Sequence, residues 1–171
     1  MPARTLEDTL TIARRNLPHW EAGGSVYFIT FRTIYGSLPE AALELLEKRI
    51  YQGHGKFFKL FLGVLMPDHV HLIIQPLPSG EYDHSLDLPR KLYYTLGEIV
   101  KGIKGASARE INKLLGTTGS LWQDERFDRI IRNEREYLEK YRYILYNPVK
   151  AGLIAPYEEY RFYLRPPPGA D

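Results

Sequence analysis

Apolar positions recur along this chain with two different periods, and the changes of period mark its elements. Ser25–Thr33 is a β-branched and aromatic run behind Gly23-Gly24, which predicts a strand. Over Pro39–Tyr51 the period becomes helical, with Leu43, Leu46 and Ile50 on one side and Glu44, Glu47, Lys48 and Arg49 around it. Phe57–Leu65 and His69–Gln75 predict two more strands, and the Met66-Pro67-Asp68 turn between them an antiparallel hairpin. Pro76–Asp87 reads as a polar loop. A helical region is expected from about Pro89 to Leu115, interrupted near Gly102 and Gly105, then a turn at Gly116–Gly119 and a strand within Leu121–Ile131. Asn133 is placed as the N-cap of a last helix, in which Tyr137, Leu138, Tyr141, Ile144 and Leu145 form an apolar stripe. Asn147-Pro148 is expected to end that helix, because proline disfavours helical geometry in the residue before it.

The resulting β-α-β-β-α-β order predicts a ferredoxin-like α/β sandwich, one central antiparallel sheet with helices packed on one face. The chain is expected to form one domain over residues 1–165, with an N-terminal extension holding a short peripheral helix in Met1–Asn16. Residues 166–171, beginning Pro166-Pro167-Pro168, are expected to be a disordered tail.

Two short patterns carry chemistry. In Asp68-His69-Val70-His71 the alternation of a strand sends both imidazoles to one face and Val70 into a core. Paired neutral imidazoles on a rigid strand are metal ligands or phosphate partners; a bland alternative makes one a core residue and the other a surface residue. Near the far end, Tyr143 and Asn147 are four apart, so a phenol and an amide share one helix face, offset from the apolar stripe. They suit a nucleophile and a third metal ligand, or else the tyrosines pack on a sheet and Asn147 only caps its helix.

Taken together and in this order, the two patterns resemble the single-tyrosine HUH transposases, and within them the REP-associated tyrosine transposases. The resemblance runs through Val26–Arg32, Met66–His71, Lys104–Arg109, Leu121-Trp122-Gln123 with Phe127–Arg132, and Tyr143–Leu153, covering roughly residues 18 to 160. Mobile-element members usually place Gln four residues after the tyrosine; Asn147 matches the palindrome-associated branch. The resemblance implies an HUH endonuclease palm in which Tyr143 is the catalytic nucleophile and His69, His71 and Asn147 hold a divalent metal, Mg²⁺ or Mn²⁺. It further implies cleavage and rejoining of single-stranded or hairpin DNA through a 5′-phosphotyrosine link, by a monomer or homodimer.

Composition narrows the rest. The 171 residues contain no cysteine, which excludes disulfides, thiolate metal sites and cysteine nucleophiles. No stretch has the length of a membrane span and the N-terminus lacks a signal peptide's apolar core, so a cytoplasmic, nucleoid-associated protein is expected. A net charge of +2 permits nucleic-acid binding without establishing it. Placement says more: Lys101 and Lys104 share a helix face, with Arg109 and Lys113 following, and Arg126, Arg129, Arg132 and Arg135 stud the segment before the tyrosine helix, with Lys140 and Arg142 on the helix itself. These are the expected DNA contacts, with Asp68 and Gln123 as candidates to orient the imidazoles and Trp122 assigned to the core. Two rival classes stay open: a non-catalytic nucleic-acid-binding module, and a metal-dependent hydrolase in which water attacks.

Overall fold

The computed structural model describes residues 24–89 and 92–169. Its elements follow in the order β1 (Val26–Thr33), α1 (Glu40–Gly53), β2 (Phe58–Leu65), β3 (His69–Pro76), β4 (Tyr82–Asp83), β5 (Leu88–Pro89), α2 (Leu96–Leu115), β6 (Trp122–Ile131), α3 (Glu134–Lys150) and β7 (Tyr163–Leu164). Five strands form one sheet in the order β6-β1-β3-β2-β7, every neighbouring pair antiparallel. With β7 set aside, this is the ferredoxin-like arrangement the element order predicts. The expected helix in Met1–Asn16 lies outside the described residues.

Alternation along the strands divides the core in two. Ile29 and Phe31 of β1 with Val70, Leu72 and Ile74 of β3 join Leu43, Leu46 and Ile50 of α1 and Ile99, Val100, Ile103 and Ile111 of α2. On the other face, Val26, Phe28, Val64 and Ile73 pack against Tyr137, Leu138, Tyr141, Ile144 and Leu145 of α3. The expectation of helices on one face therefore holds for α1 and α2, whereas α3 covers the opposite face. The cause is that β1 and β3 are apolar on both sides, and a second apolar face needs a second cover. Fully burying one such aliphatic side chain contributes roughly 1.5–3 kcal/mol. Arg49 Nε donates to Glu110 Oε2 at 2.9 Å, tying α1 to α2 at their exposed rim.

Three further expectations are corrected. Helix α2 runs unbroken through Gly102 and Gly105 and starts at Leu96 rather than Pro89. Each glycine costs about 1 kcal/mol in a helix. A Thr95–Glu98 capping box, the buried row of Ile99, Ile103 and Ile111, and Gly116 closing the end at φ 66° outweigh that cost. Within the polar loop, β4 forms and pairs with β5 just beyond the loop's end as a small ribbon. Finally, Asn147-Pro148 does not end α3, which continues to Lys150. Proline removes one donor and crowds the carbonyl four residues back, a loss limited to one bond when it falls in the last turn. Ala151 N–H still donates to Asn147 O, and Tyr163 Oη–H donates to the Leu145 carbonyl. Burial pushes the Tyr163 phenol up to about 12, so it remains a donor.

Gly63 of β2 sits where strands crowd. A Cβ there would lie 2.6 Å from Leu72 Cδ2 and 3.3 Å from His71 O. Gly63→Ala is expected to destabilise the fold by about 1–3 kcal/mol, read as a lower urea midpoint with an unchanged slope.

Candidate active site

The hairpin and the last helix meet on the α3 face of the sheet. Residues paired across antiparallel strands share a face, so the register Thr30↔His71 and Arg32↔His69 sets both histidines beside β1 side chains. The two imidazole centroids are 4.7 Å apart. From α3, Asn147 enters between them: its Oδ1 is 3.2 Å from His69 Nε2 and its Nδ2 is 3.4 Å from His71 Nε2. Tyr143 lies one turn earlier on the same face, its ring centroid 5.2 Å from that of His71. It is 44% exposed, whereas Tyr141 is 5% exposed and its phenol is pushed up by burial. The expected quartet of Tyr143, His69, His71 and Asn147 is thus brought together.

Each ring is held by its other nitrogen. His69 Nδ1 lies 2.6 Å from Asp68 Oδ1, and Arg32 steadies that carboxylate from 3.2 Å. His71 Nδ1 lies 2.7 Å from Thr30 Oγ1. With each Nδ1–H donating to its oxygen, both Nε2 atoms are turned toward Asn147, the tautomer that leaves a lone pair for a ligand. His71 is buried and its pKa is lowered to about 3, chiefly by desolvation and then by the neighbouring His69, Arg32 and Lys140. A neutral imidazole is the form that binds metal. Among the described residues no three His, Cys, Asp or Glu side chains cluster as a metal site. The convergent set is two imidazoles and an amide, nitrogen and oxygen donors of the kind that bind a divalent metal.

The depressed His71 pKa has a consequence for the metal-free protein. Below the ordinary value of 6.5 the unfolded chain takes up this proton, while the folded one resists it down to about 3. In that window the unfolded state binds more protons, so stability present at neutral pH is lost as pH falls. The urea midpoint of chelated protein is expected to fall on acidification through this window, and His71→Gln to flatten the dependence.

The remaining expected contacts are divided by the sheet. Lys101, Lys104 and Arg126 line a groove of about 340 Å³ between α2 and the start of β6, with Trp122 and Gln123. Arg126 pairs in register with Phe31, which places it on the α1–α2 side. Arg129 pairs with Phe28 on the histidine side and bonds Glu136 Oε1 at 3.4 Å. Arg132 is exposed just beyond β6 and its backbone N–H donates to Glu136. Asp68 orients an imidazole as expected. Gln123 does not; its amide donates to Thr33 O at 3.3 Å, where extra residues in β6 shift its register against β1. Trp122 is core, its Nε1–H donating to Ser107.

Two site residues escape sequence reasoning. Thr30 is one of many strand threonines until the β1–β3 register is known. Phe28 stacks on His71 at 5.4 Å and meets Tyr143 edge-on at 5.8 Å. Lys140, one of the basic residues the sequence places on the tyrosine helix, holds its Nζ 5.3 Å from the Phe28 ring centroid and 5.9 Å from that of Tyr143.

Fold and site together define a ferredoxin-like α/β protein whose His-hydrophobic-His strand faces a tyrosine helix. No protein-family model matches the chain. Over 147 residues it is 32% identical to an uncharacterized protein of Haemophilus influenzae, covering 72% of this chain and 79% of that one. Over 92 residues it is 26% identical to a Haemophilus influenzae protein named "Putative REP-associated tyrosine transposase", covering 53% of this chain and 49% of that one. A solved REP-associated tyrosine transposase bound to a REP hairpin shares the fold, with a TM-score of 0.60 at 19% identity over 86% of this chain and 81% of that one. The chain is thus similar in sequence to a protein named as a REP-associated tyrosine transposase and shares the fold of a solved one.

Proposed function

We propose that this protein is a metal-dependent single-stranded DNA endonuclease and strand transferase that acts at hairpin DNA through a phosphotyrosine at Tyr143. The observation that carries the reading is convergence. Two Nε2 lone pairs and the Asn147 amide meet at one point, with a half-exposed phenol packed against His71. The hairpin substrate is carried over from the relative solved with a REP hairpin.

His69, His71 and Asn147 would hold Mg²⁺ or Mn²⁺, the two imidazoles favouring Mn²⁺. When bound, that ion supplies Lewis-acid polarisation of the scissile phosphate. A phenol that keeps its proton is a weak nucleophile. Packing against His71 and Phe28 limits where its ring can turn, which aligns Oη for in-line attack. Lys140 places an ammonium beside that ring and offsets charge gathering on the phosphate. Tyr143 Oη gives up its proton to solvent and bonds to phosphorus. The bond from phosphorus to the 3′-oxygen breaks, and that oxygen leaves as a 3′-hydroxyl after taking a proton. The product is a 5′-phosphotyrosyl strand, and attack on it by another 3′-hydroxyl restores a phosphodiester and frees the phenol. No nucleotide cofactor enters the balance.

The test is incubation with end-labelled hairpin oligonucleotides and Mn²⁺, followed by a denaturing gel. A label that migrates with the protein supports the reading. Cleavage without an adduct points to water as the attacking group, and binding without cleavage to a non-catalytic module; either sinks it.

A further inference from the structure

We propose that Phe127 is a stacking platform for an unpaired nucleobase beside the scissile phosphate, an inference that rests on the single-strand reading above. Strand β6 is the outer strand of the sheet, and residues 123–130 are exposed along it. Its register pairs Phe127 with Thr30, the residue that holds His71, so the Phe127 ring stands on the histidine face. That ring is 57% exposed. Its centroid is 6.4 Å from that of Phe28, edge to face, and Phe28 in turn touches both His71 and Tyr143. Phe127 is therefore one ring removed from the nucleophile, with its own surface open to solvent.

The surroundings select the occupant. Arg129 follows on the same face, half-exposed and paired with Glu136, and the Lys140 ammonium lies over the Phe28 ring against which Phe127 packs. An exposed aromatic with cations nearby takes a base on its π-face and the adjoining phosphates on the charges. A protein partner buries a broader surface, about 800 Å² per side. The other exposed apolar residue of β6, Ile130, pairs with Tyr27 and stands on the opposite face, so the two do not merge into such a patch. A paired base inside a helix hides its faces; an unpaired one at the foot of a hairpin offers them.

The experiment compares a hairpin carrying a short thymine foot with the same hairpin cut blunt, by fluorescence anisotropy without divalent metal. Phe127→Ala is expected to weaken binding of the footed hairpin about tenfold and to leave the blunt one unchanged, and Phe127→Trp to restore it. An abasic scan of the foot is expected to reveal one position at which wild type and Phe127→Ala bind equally, because the stacked base is already missing. Phe127→Leu, which keeps apolar bulk and loses the ring, is expected to behave as Phe127→Ala, and matched melting curves for all variants exclude a folding effect. Equal affinities throughout the scan, or equal losses on both hairpins, overturn the platform. Adduct formation in Mn²⁺ is scored on the same proteins. Foot binding that depends on Phe127 without any adduct sinks the cleavage chemistry and keeps the platform, whereas an adduct with no Phe127 dependence sinks the platform alone.

Discussion

Tyr143→Phe is expected to abolish covalent capture of DNA, lowering cleavage by roughly 10⁴-fold or more while leaving the fold and hairpin affinity almost unchanged. The substitution removes one oxygen and keeps the ring against Phe28 and His71, at 5.8 and 5.2 Å. A half-exposed hydroxyl contributes little to stability, so a shift within about 0.5 kcal/mol is expected. Tyr137 and Tyr141 are buried, and burial raises both phenols away from the ionised form. Tyr146 is the informative control: it is 52% exposed and three residues along the same helix. An adduct that survives Tyr143→Phe and vanishes in Tyr146→Phe would mean that the wrong tyrosine has been chosen.

Loss of His71 is expected to be nearly as severe, through the metal rather than the nucleophile. His71→Gln keeps most of the buried volume, so a folded protein with little divalent-stimulated cleavage is the expected product. Isothermal titration with Mn²⁺ gives a readout independent of activity. His69→Gln and His71→Gln are expected to remove measurable binding, and Asn147→Ala to weaken it. Thr30→Val leaves the ligands in place and removes the oxygen 2.7 Å from His71 Nδ1. Loss of such an orienting partner lowers metal affinity about 10–100-fold. Chelation with EDTA is expected to stop cleavage and added Mn²⁺ to restore it. Undiminished Mn²⁺ affinity in both histidine variants would refute the ligand set.

Much of this arrangement was legible along the chain. Strand alternation alone sets His69 and His71 on one side and Val70 on the other, and Val70 is buried in the α1–α2 core. A four-residue spacing alone puts Tyr143 and Asn147 on one helix face, and Asn133 caps that helix as read, accepting from Glu136 N–H. These facts belong to single elements, whose periods follow from backbone geometry. What lies between elements was decided by the tertiary structure. Thr30 serves His71 only because β1 pairs with β3 in one register, and a slip of one residue would turn its side chain to the other face. Strand alternation alone sends Arg126 and Arg129 to opposite faces, whereas the register shift at the start of β6 leaves Gln123 bonded to Thr33 O and away from the imidazoles. Helix α3 crosses the face opposite α1 and α2 because the central strands are apolar on both sides, and that placement sets Tyr143 and Asn147 over the histidine pair.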